Sequence, residues 1–186
     1  SKYTKQSPFF GRIVTKAAAT RHVELITADK KYVVYGGDHD LESRYVEPTV
    51  MLFPTLEEFL NSETIKNGEI FGPIIPIVGV ENVLDAAIPI VNSGEKPLAL
   101  YLFTENKEAQ DRVLAQTSSG ACVVNDAIIH LFNINIPFGG VGHSGMGGYH
   151  GKHSFLTFSH EKAVLFKDFV HANDRFNGRF PPHNIQ

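Results

Sequence analysis

Ile13, Val14, Ala17, Ala18 and Leu25 recur near the helical period, which predicts an amphipathic helix over residues 10–27. The run Lys31 to Tyr35 is β-branched and aromatic and closes on Gly36-Gly37-Asp38, so it predicts a strand and a turn. Tyr45 to Phe53 reads as extended, with Pro48 marking an edge or a bulge because proline cannot donate to a ladder. The middle of the chain is the most regular. Buried strands are predicted at Ile74 to Val80, Leu98 to Phe103 and Ala121 to Val124, with helices over Asn82 to Asn92 and Asn106 to Thr117 between them. Pro89 falls inside the first of these helices, so that helix is expected to kink or to start late. Strand, helix, strand, helix, strand with short links implies an α/β fold, an open and mostly parallel sheet with helices on both faces. From Pro137 the pattern breaks. Glycines at 139, 140, 142, 145, 147, 148 and 151 exclude a regular helix there. Phe155 to Phe169 then reads as extended, ahead of a polar tail over 170–186.

At 186 residues the chain is long enough for one domain, or a domain plus an appendage, with a core of its own. With 42% hydrophobic and 20% charged residues it is an ordinary globular composition, not a disordered one. Seventeen basic against twenty acidic residues give a net charge of −3, which argues against a nucleic-acid partner. A single cysteine excludes a disulfide framework and suits a reducing, cytoplasmic address. No apolar run is long enough for a membrane segment. The chain opens at Ser1 and its methionines are Met51 and Met146, so a processed or truncated start is expected.

Several constellations invite chemistry. Gly140-Val141-Gly142-His143-Ser144-Gly145 matches G-x-G-x-x-G, with Glu161 where a ribose-binding acid would stand. Pro137 before it and Gly147, Gly148 and Gly151 after it deny the strand–loop–helix setting, so a close-packed glycine connection is the preferred reading. His143, His150, His153 and His160 cluster in sequence but carry no H-E-x-x-H spacing, and no metal site is expected. Cys122 sits in a strand that reads as fully buried, which suits an inert core thiol better than a nucleophile. Glu57-Glu58 shows no partner and reads as a solvated helix face. Glu69-Ile70-Phe71-Gly72-Pro73 sets a carboxylate and a ring at the mouth of a strand, where open α/β sheets bind ligands. A carboxylate accepting from sugar hydroxyls beside a packing ring, and a plain capped turn, stand level on the residues alone.

Five stretches together resemble the aldehyde dehydrogenase family in its C-terminal portion, nearest the class 3 or fatty-aldehyde branch. They are RYVEPTV from Arg44, EIFGPIIP from Glu69, EKPLALYLF from Glu95, TSSGACVVND from Thr117 and PFGGVGHSGMGGYHGKHSFLTFSH from Pro137. The resemblance runs in order over nearly the whole chain and reaches Arg179-Phe180-Pro181-Pro182. It implies the truncated catalytic domain of that fold over 1–152, an extended oligomerisation segment over 153–169 and a tail over 170–186. It also implies oxidation of an aldehyde to a carboxylic acid with NAD or NADP. In that chemistry a cysteine thiolate attacks the carbonyl, hydride leaves to the nicotinamide, and a Glu-activated water hydrolyses the thioester.

Carried over by residue, Glu69 matches the acid that holds the nicotinamide ribose, and Phe71 the aromatic packed near it. Asn125 matches a residue that supports the catalytic centre. His130, Leu131, Phe132, Asn133 and Phe138 fall where the family lines its substrate funnel. Residues 155–167 match a segment used between subunits, so a homo-oligomer is expected. The departures bear on activity. The family's Gly-Gln-x-Cys nucleophile, its general base and its cofactor-binding domain are not in these residues, and Cys122 aligns with no catalytic position. Gly68 stands where a second acid is common, and the stretch from Phe53 to Gly68 looks longer than usual. The chain by itself is therefore expected to be inactive and to bind no cofactor tightly. The alternative is a non-catalytic module that self-associates or pairs with a full-length relative.

Overall fold

The structure, a computed structural model, describes residues 2–166, and it divides into two compact units, Ser1–Gly94 and Glu95–Gln186. The first unit runs α1 (Lys2–Gln6), α2 (Lys16–Ala28), β1 (Val33–Tyr35), β2 (His39–Asp40), β3 (Tyr45–Val46) and β4 (Thr49–Phe53). It continues with α3 (Leu56–Asn61), α4 (Glu63–Lys66), β5 (Ile74–Val78) and α5 (Val83–Ser93). The second unit holds β6 (Ala99–Leu102), α6 (Lys107–Gln116), β7 (Ala121–Val124) and α7 (Gly151–Thr157). The fold is mixed α/β with parallel strand pairs. In the first unit one sheet has the order β1-β4-β5, with β1 antiparallel and β5 parallel to β4 in the register Thr49↔Ile74 to Phe53↔Val78, and β2 and β3 form a separate antiparallel pair. In the second, β6 and β7 are parallel, Ala99↔Ala121 to Leu102↔Val124, with α6 as the crossover.

Side-chain caps start α2 to α6. Thr15, Thr55, Ser62, Asn82 and Asn106 each accept the backbone N–H three residues on. Such a cap contributes about 1 kcal/mol. The expected helix from residue 10 begins only after Thr15, because Ile13 is engaged elsewhere. Its N–H donates to the Arg44 carbonyl at 3.0 Å, and its carbonyl accepts from Arg44 Nε at 3.0 Å. The buried face of α2 is Ala19, His22, Leu25 and Ile26, not Ala17 and Ala18. Helix α5 neither starts late nor stops at Pro89, but runs through it from its cap at Asn82.

The core of the first unit joins Ala19, Leu25 and Ile26 of α2 to Tyr32, Val46, Met51, Phe53 and Ile74. Phe53 sits 4.3 Å from the Tyr32 ring and 5.5 Å, edge-on, from Phe59. Thr49, Met51 and Phe53 face this core, while Leu52 between them is half exposed. The strands expected to be buried are so on alternate residues at most. In β5 Ile74 is buried but Ile75 and Ile77 are exposed, and Tyr101 of β6 is exposed too. Exposure alternates along β5, whereas β6 exposes Tyr101 alone and β7 exposes none of its residues and fully buries only Val123.

Residues 155–157, expected to be extended, close helix α7, and 158–166 hold no helix or strand. Residues 167–169 of that expected segment, and the tail, lie outside the described residues. Glu58 is not a bare solvated acid. Its carboxylate accepts from the Thr55 hydroxyl and the Tyr32 hydroxyl, both at 3.2 Å, and pairs with Lys31 at 3.8 Å. With Thr55 accepting the Glu58 N–H, this is a T-x-x-E arrangement at the start of α3.

Candidate functional site

The chain leaves α4 through Asn67 and through Gly68, whose φ is +80°, and turns at Glu69 to Pro73 before entering β5. The Pro73 carbonyl accepts the Thr49 N–H at 2.8 Å, which ties the exit of the corner to β4. Its entry is tied to α2. The Arg21 guanidinium donates to the carbonyls of Glu69, at 3.2 Å, and of Ile70. His22 Nε2 donates to the same Ile70 carbonyl at 2.9 Å, from a ring only 1% exposed. Gly72 lies flat on that ring, where a Cβ would overlap the imidazole. Phe71 adopts φ +50°, a conformation non-glycine residues avoid, and its side chain is 82% exposed. The Glu69 side chain is exposed, and among the described residues none hydrogen-bonds or pairs with its carboxylate. Beside the corner runs an apolar groove of about 320 Å³ lined by Tyr35, Val50, Gly72, Pro73 and Ile75. Neither Glu69 nor Phe71 lines that groove; what the corner itself offers is a free carboxylate that can accept hydrogen bonds and an exposed ring that can give a packing face. No motif in the sequence marks Arg21 or His22.

In the second unit Asn125 ends β7 with φ +62°, and its amide is committed to backbone. Its Oδ1 accepts the Thr104 N–H at 2.7 Å, and its Nδ2 donates to the Thr104 carbonyl at 3.0 Å. His130 lies on a 3-10 turn over Ile129–Phe132 and is 7% exposed, packed against Tyr101 at 6.1 Å and Phe138 at 5.6 Å. Neither of its ring nitrogens has a hydrogen-bond partner among the described residues. Phe138 bridges to Tyr149 through a pair of backbone hydrogen bonds and stacks on His150 at 5.8 Å. His130 and Phe138 are therefore brought together. Leu131, Phe132 and Asn133 are exposed on the turn beyond them, and Asn133 spends its Oδ1 on the Asn135 N–H.

The glycine stretch is a backbone-on-backbone contact. A Cβ on Gly120 would strike the Gly139 carbonyl, one on Gly139 the Gly147 carbonyl, and one on Gly140 the Ser144 carbonyl. A single 3-10 turn over Gly142–Ser144 follows Gly140, where a phosphate loop would lead into an α-helix. The folded segment walls a cleft of about 340 Å³ with Gly120, Pro137, His153 and Thr157. The histidines disperse, His143 pairing with Glu95 and His150 stacking on Phe138. Among the described residues no group of three or more His, Cys, Asp or Glu is placed to hold a metal. Cys122 is half-buried and not fully enclosed, and burial pushes its thiol up from the ordinary range.

The aldehyde dehydrogenase family model matches residues 3–164. Aldehyde dehydrogenase, dimeric NADP-preferring, of Mus musculus is 44% identical over 179 residues, covering 96% of this chain and 37% of its own length. Aldehyde dehydrogenase family 3 member A2 of Pongo abelii is 43% identical over 180 residues, 97% of this chain and 35% of that protein. The solved substrate-bound state of Staphylococcus aureus AldH superposes with a TM-score of 0.79 at 43% identity, over 91% of this chain and 36% of that one. The chain thus spans about a third of the length of the relatives it matches.

Proposed function

Since the chain belongs to the aldehyde dehydrogenase family, in its class 3 branch, we propose that it serves an NAD(P)-dependent oxidation of aldehyde to carboxylic acid. Its part is to supply surfaces rather than the reacting thiol. Glu69 accepts hydrogen bonds from ribose hydroxyls of the cofactor, and Phe71 gives the neighbouring ring a packing face. The observation that carries this is the Glu69–Phe71 corner, with an unpaired carboxylate and an exposed ring on a backbone fixed from behind. Bound there, the nicotinamide dinucleotide supplies the hydride acceptor. His130 and Phe138, with Leu131, Phe132 and Asn133 beyond them, line the path of an apolar or fatty aldehyde, and Asn125 supports that region by holding Thr104.

The test is Glu69→Gln in the intact enzyme that carries this chain. A hydrogen bond to a charged group contributes about 1.5–3 kcal/mol, so NAD(P) affinity should fall roughly 10- to 100-fold. An unchanged dissociation constant would refute the assignment.

The 186 residues alone are inactive in this reading, because their one thiol is Cys122 and burial disfavours its thiolate. Purified chain producing NAD(P)H from an aldehyde, followed at the nicotinamide absorbance, would contradict it. A second reading has its own observation. Val164, Leu165 and Phe166 are 62%, 90% and 91% exposed, which supports self-association or pairing with a relative through residues 155–167. A monomer by light scattering at high concentration would remove it. The cytoplasmic address belongs to the proposal as well. Among the described residues no helix is long and apolar enough to cross a membrane.

A further inference from the structure

We infer that Arg21 and His22 of helix α2 are positioning residues for the cofactor-facing corner, fixing Glu69 and Phe71 through the carbonyls of Glu69 and Ile70. The inference rests on the assignment of Glu69 and Phe71 to the cofactor. A peptide plane is rigid, so fixing a carbonyl oxygen orients the whole unit. Arg21 holds the plane between Glu69 and Ile70, and Arg21 with His22 holds the next, between Ile70 and Phe71. That second plane sets φ of Phe71, which stands at +50°. A positive φ in a non-glycine residue persists only where its surroundings over-determine it, and two donors on one carbonyl do so.

The side chains cannot supply this order themselves. Phe71 is 82% exposed and the Glu69 carboxylate has no partner among the described residues, so neither is held by packing. His22 also acts as a spacer. Its imidazole is buried beneath Gly72, so the ring sets how closely the corner approaches α2. The two donors come from adjacent residues of one helix and meet on one oxygen 48 and 49 positions away in sequence. Losing either frees the 70–71 peptide to rotate, and Phe71 then relaxes to negative φ with its ring displaced.

The experiment uses the intact enzyme and the variants Arg21→Met, His22→Leu and His22→Gln. Amide hydrogen exchange at residues 69–72 without cofactor reads the pinning directly. Fluorescence titration with NADPH and NADH reads its consequence. Each of Arg21→Met and His22→Leu should raise exchange at 69–72 and weaken nucleotide binding about five- to tenfold, as loss of one or two hydrogen bonds implies. The aldehyde KM should stay within about twofold, since uniform binding of the aldehyde is untouched. His22→Gln keeps an N–H of similar reach and should restore most of the affinity. Unchanged exchange overturns the pinning. Raised exchange with unchanged nucleotide affinity overturns the positioning role; if Glu69→Gln still weakens the nucleotide, the cofactor assignment stands without it. An inert Glu69→Gln overturns both. If His22→Leu fails to fold, Arg21→Met carries the same test from a half-exposed position.

Discussion

Asp29, at the end of α2, carries the clearest stability prediction. Its side chain is 5% exposed and its Oδ2 accepts two hydrogen bonds from Thr64, the N–H at 2.7 Å and the hydroxyl at 2.6 Å. Thr64 is fully buried, so water cannot replace the carboxylate. Asp29→Ala deletes two charge-assisted bonds and leaves a buried N–H and O–H orphaned. Each orphan costs about 1–3 kcal/mol. The hydroxyl keeps a weak alternative in Met51 Sδ at 3.5 Å, which places its share at the low end. The expected loss is therefore about 2–5 kcal/mol, a large part of the ~5–15 kcal/mol that holds an ordinary domain.

Urea unfolding of the variant and its parent measures this from the midpoint shift at constant slope. Thr64→Val separates the two bonds, since it removes only the hydroxyl. In that background Asp29→Ala should cost about 1–2 kcal/mol less than in the parent, because the hydroxyl is no longer there to be orphaned. A loss under about 1 kcal/mol, or strict additivity of the pair, would show that Asp29 does not hold Thr64 through these two bonds. Because Asp29 anchors the end of the helix that carries Arg21 and His22, the same variant should loosen the corner those residues hold.

Four further outcomes are expected. Gly36→Ala puts a Cβ onto the Pro48 carbonyl at φ +77° and should destabilise by more than about 2 kcal/mol in the same assay. His130→Phe keeps the ring contacts to Tyr101 and Phe138 while removing two unpartnered nitrogens, so it should stabilise by about 1 kcal/mol; a loss would show that the imidazole is satisfied. Cys122 should be alkylated more slowly than a free thiol near pH 8, with its rate still rising beyond the ordinary thiol range of about 8.5, because burial disfavours its thiolate; a midpoint at or below that range would contradict the burial. The Ser43 hydroxyl, the Lys5 ammonium and the Ser43 N–H hold the Asp40 carboxyl down at about 2, which a carboxyl-carbon NMR titration reads directly. Its folded value is depressed, so its stabilising contribution is complete above the unfolded range near ~3.9 and disappears as pH falls towards 2; Asp40→Asn should remove that dependence.

The elements legible in the sequence are those that local physics ends sharply. Ala121 to Val124 is a strand within the expected bounds, and α6 falls one residue inside its expected ends because Asn106 caps it. Helix α2 departs from the expected start and the expected face because tertiary partners override the period. Arg44 takes both backbone groups of Ile13, and the helix buries His22, a polar residue that a hydrophobic count skips. Helices α3 and α4 are too short for a period to emerge, although the Thr55…Glu58 spacing carried the start signal. Helix α7 begins behind His150 at φ +95° and Gly151 at φ +47°, in a stretch whose glycines argue against any helix.

For the site, the limits of the sequence follow from what recognises what. Glu69 and Phe71 could be found because their side chains are the chemistry, an acid and a ring beside a Gly-Pro corner. Arg21 and His22 could not, because what they bind is main-chain carbonyl. Every residue from 69 to 72 carries a carbonyl, so no pattern of residue types at the corner points back to α2. The one trace is Gly72, which must lack a Cβ only because His22 lies beneath it. That constraint becomes visible once the helix is in place, and it yields a directional consequence. Gly72→Ala should displace the corner when His22 is present and cost less when position 22 is alanine. If the glycine were there for turn geometry alone, the two substitutions would add, and the link between α2 and the corner would reduce to hydrogen bonds without packing.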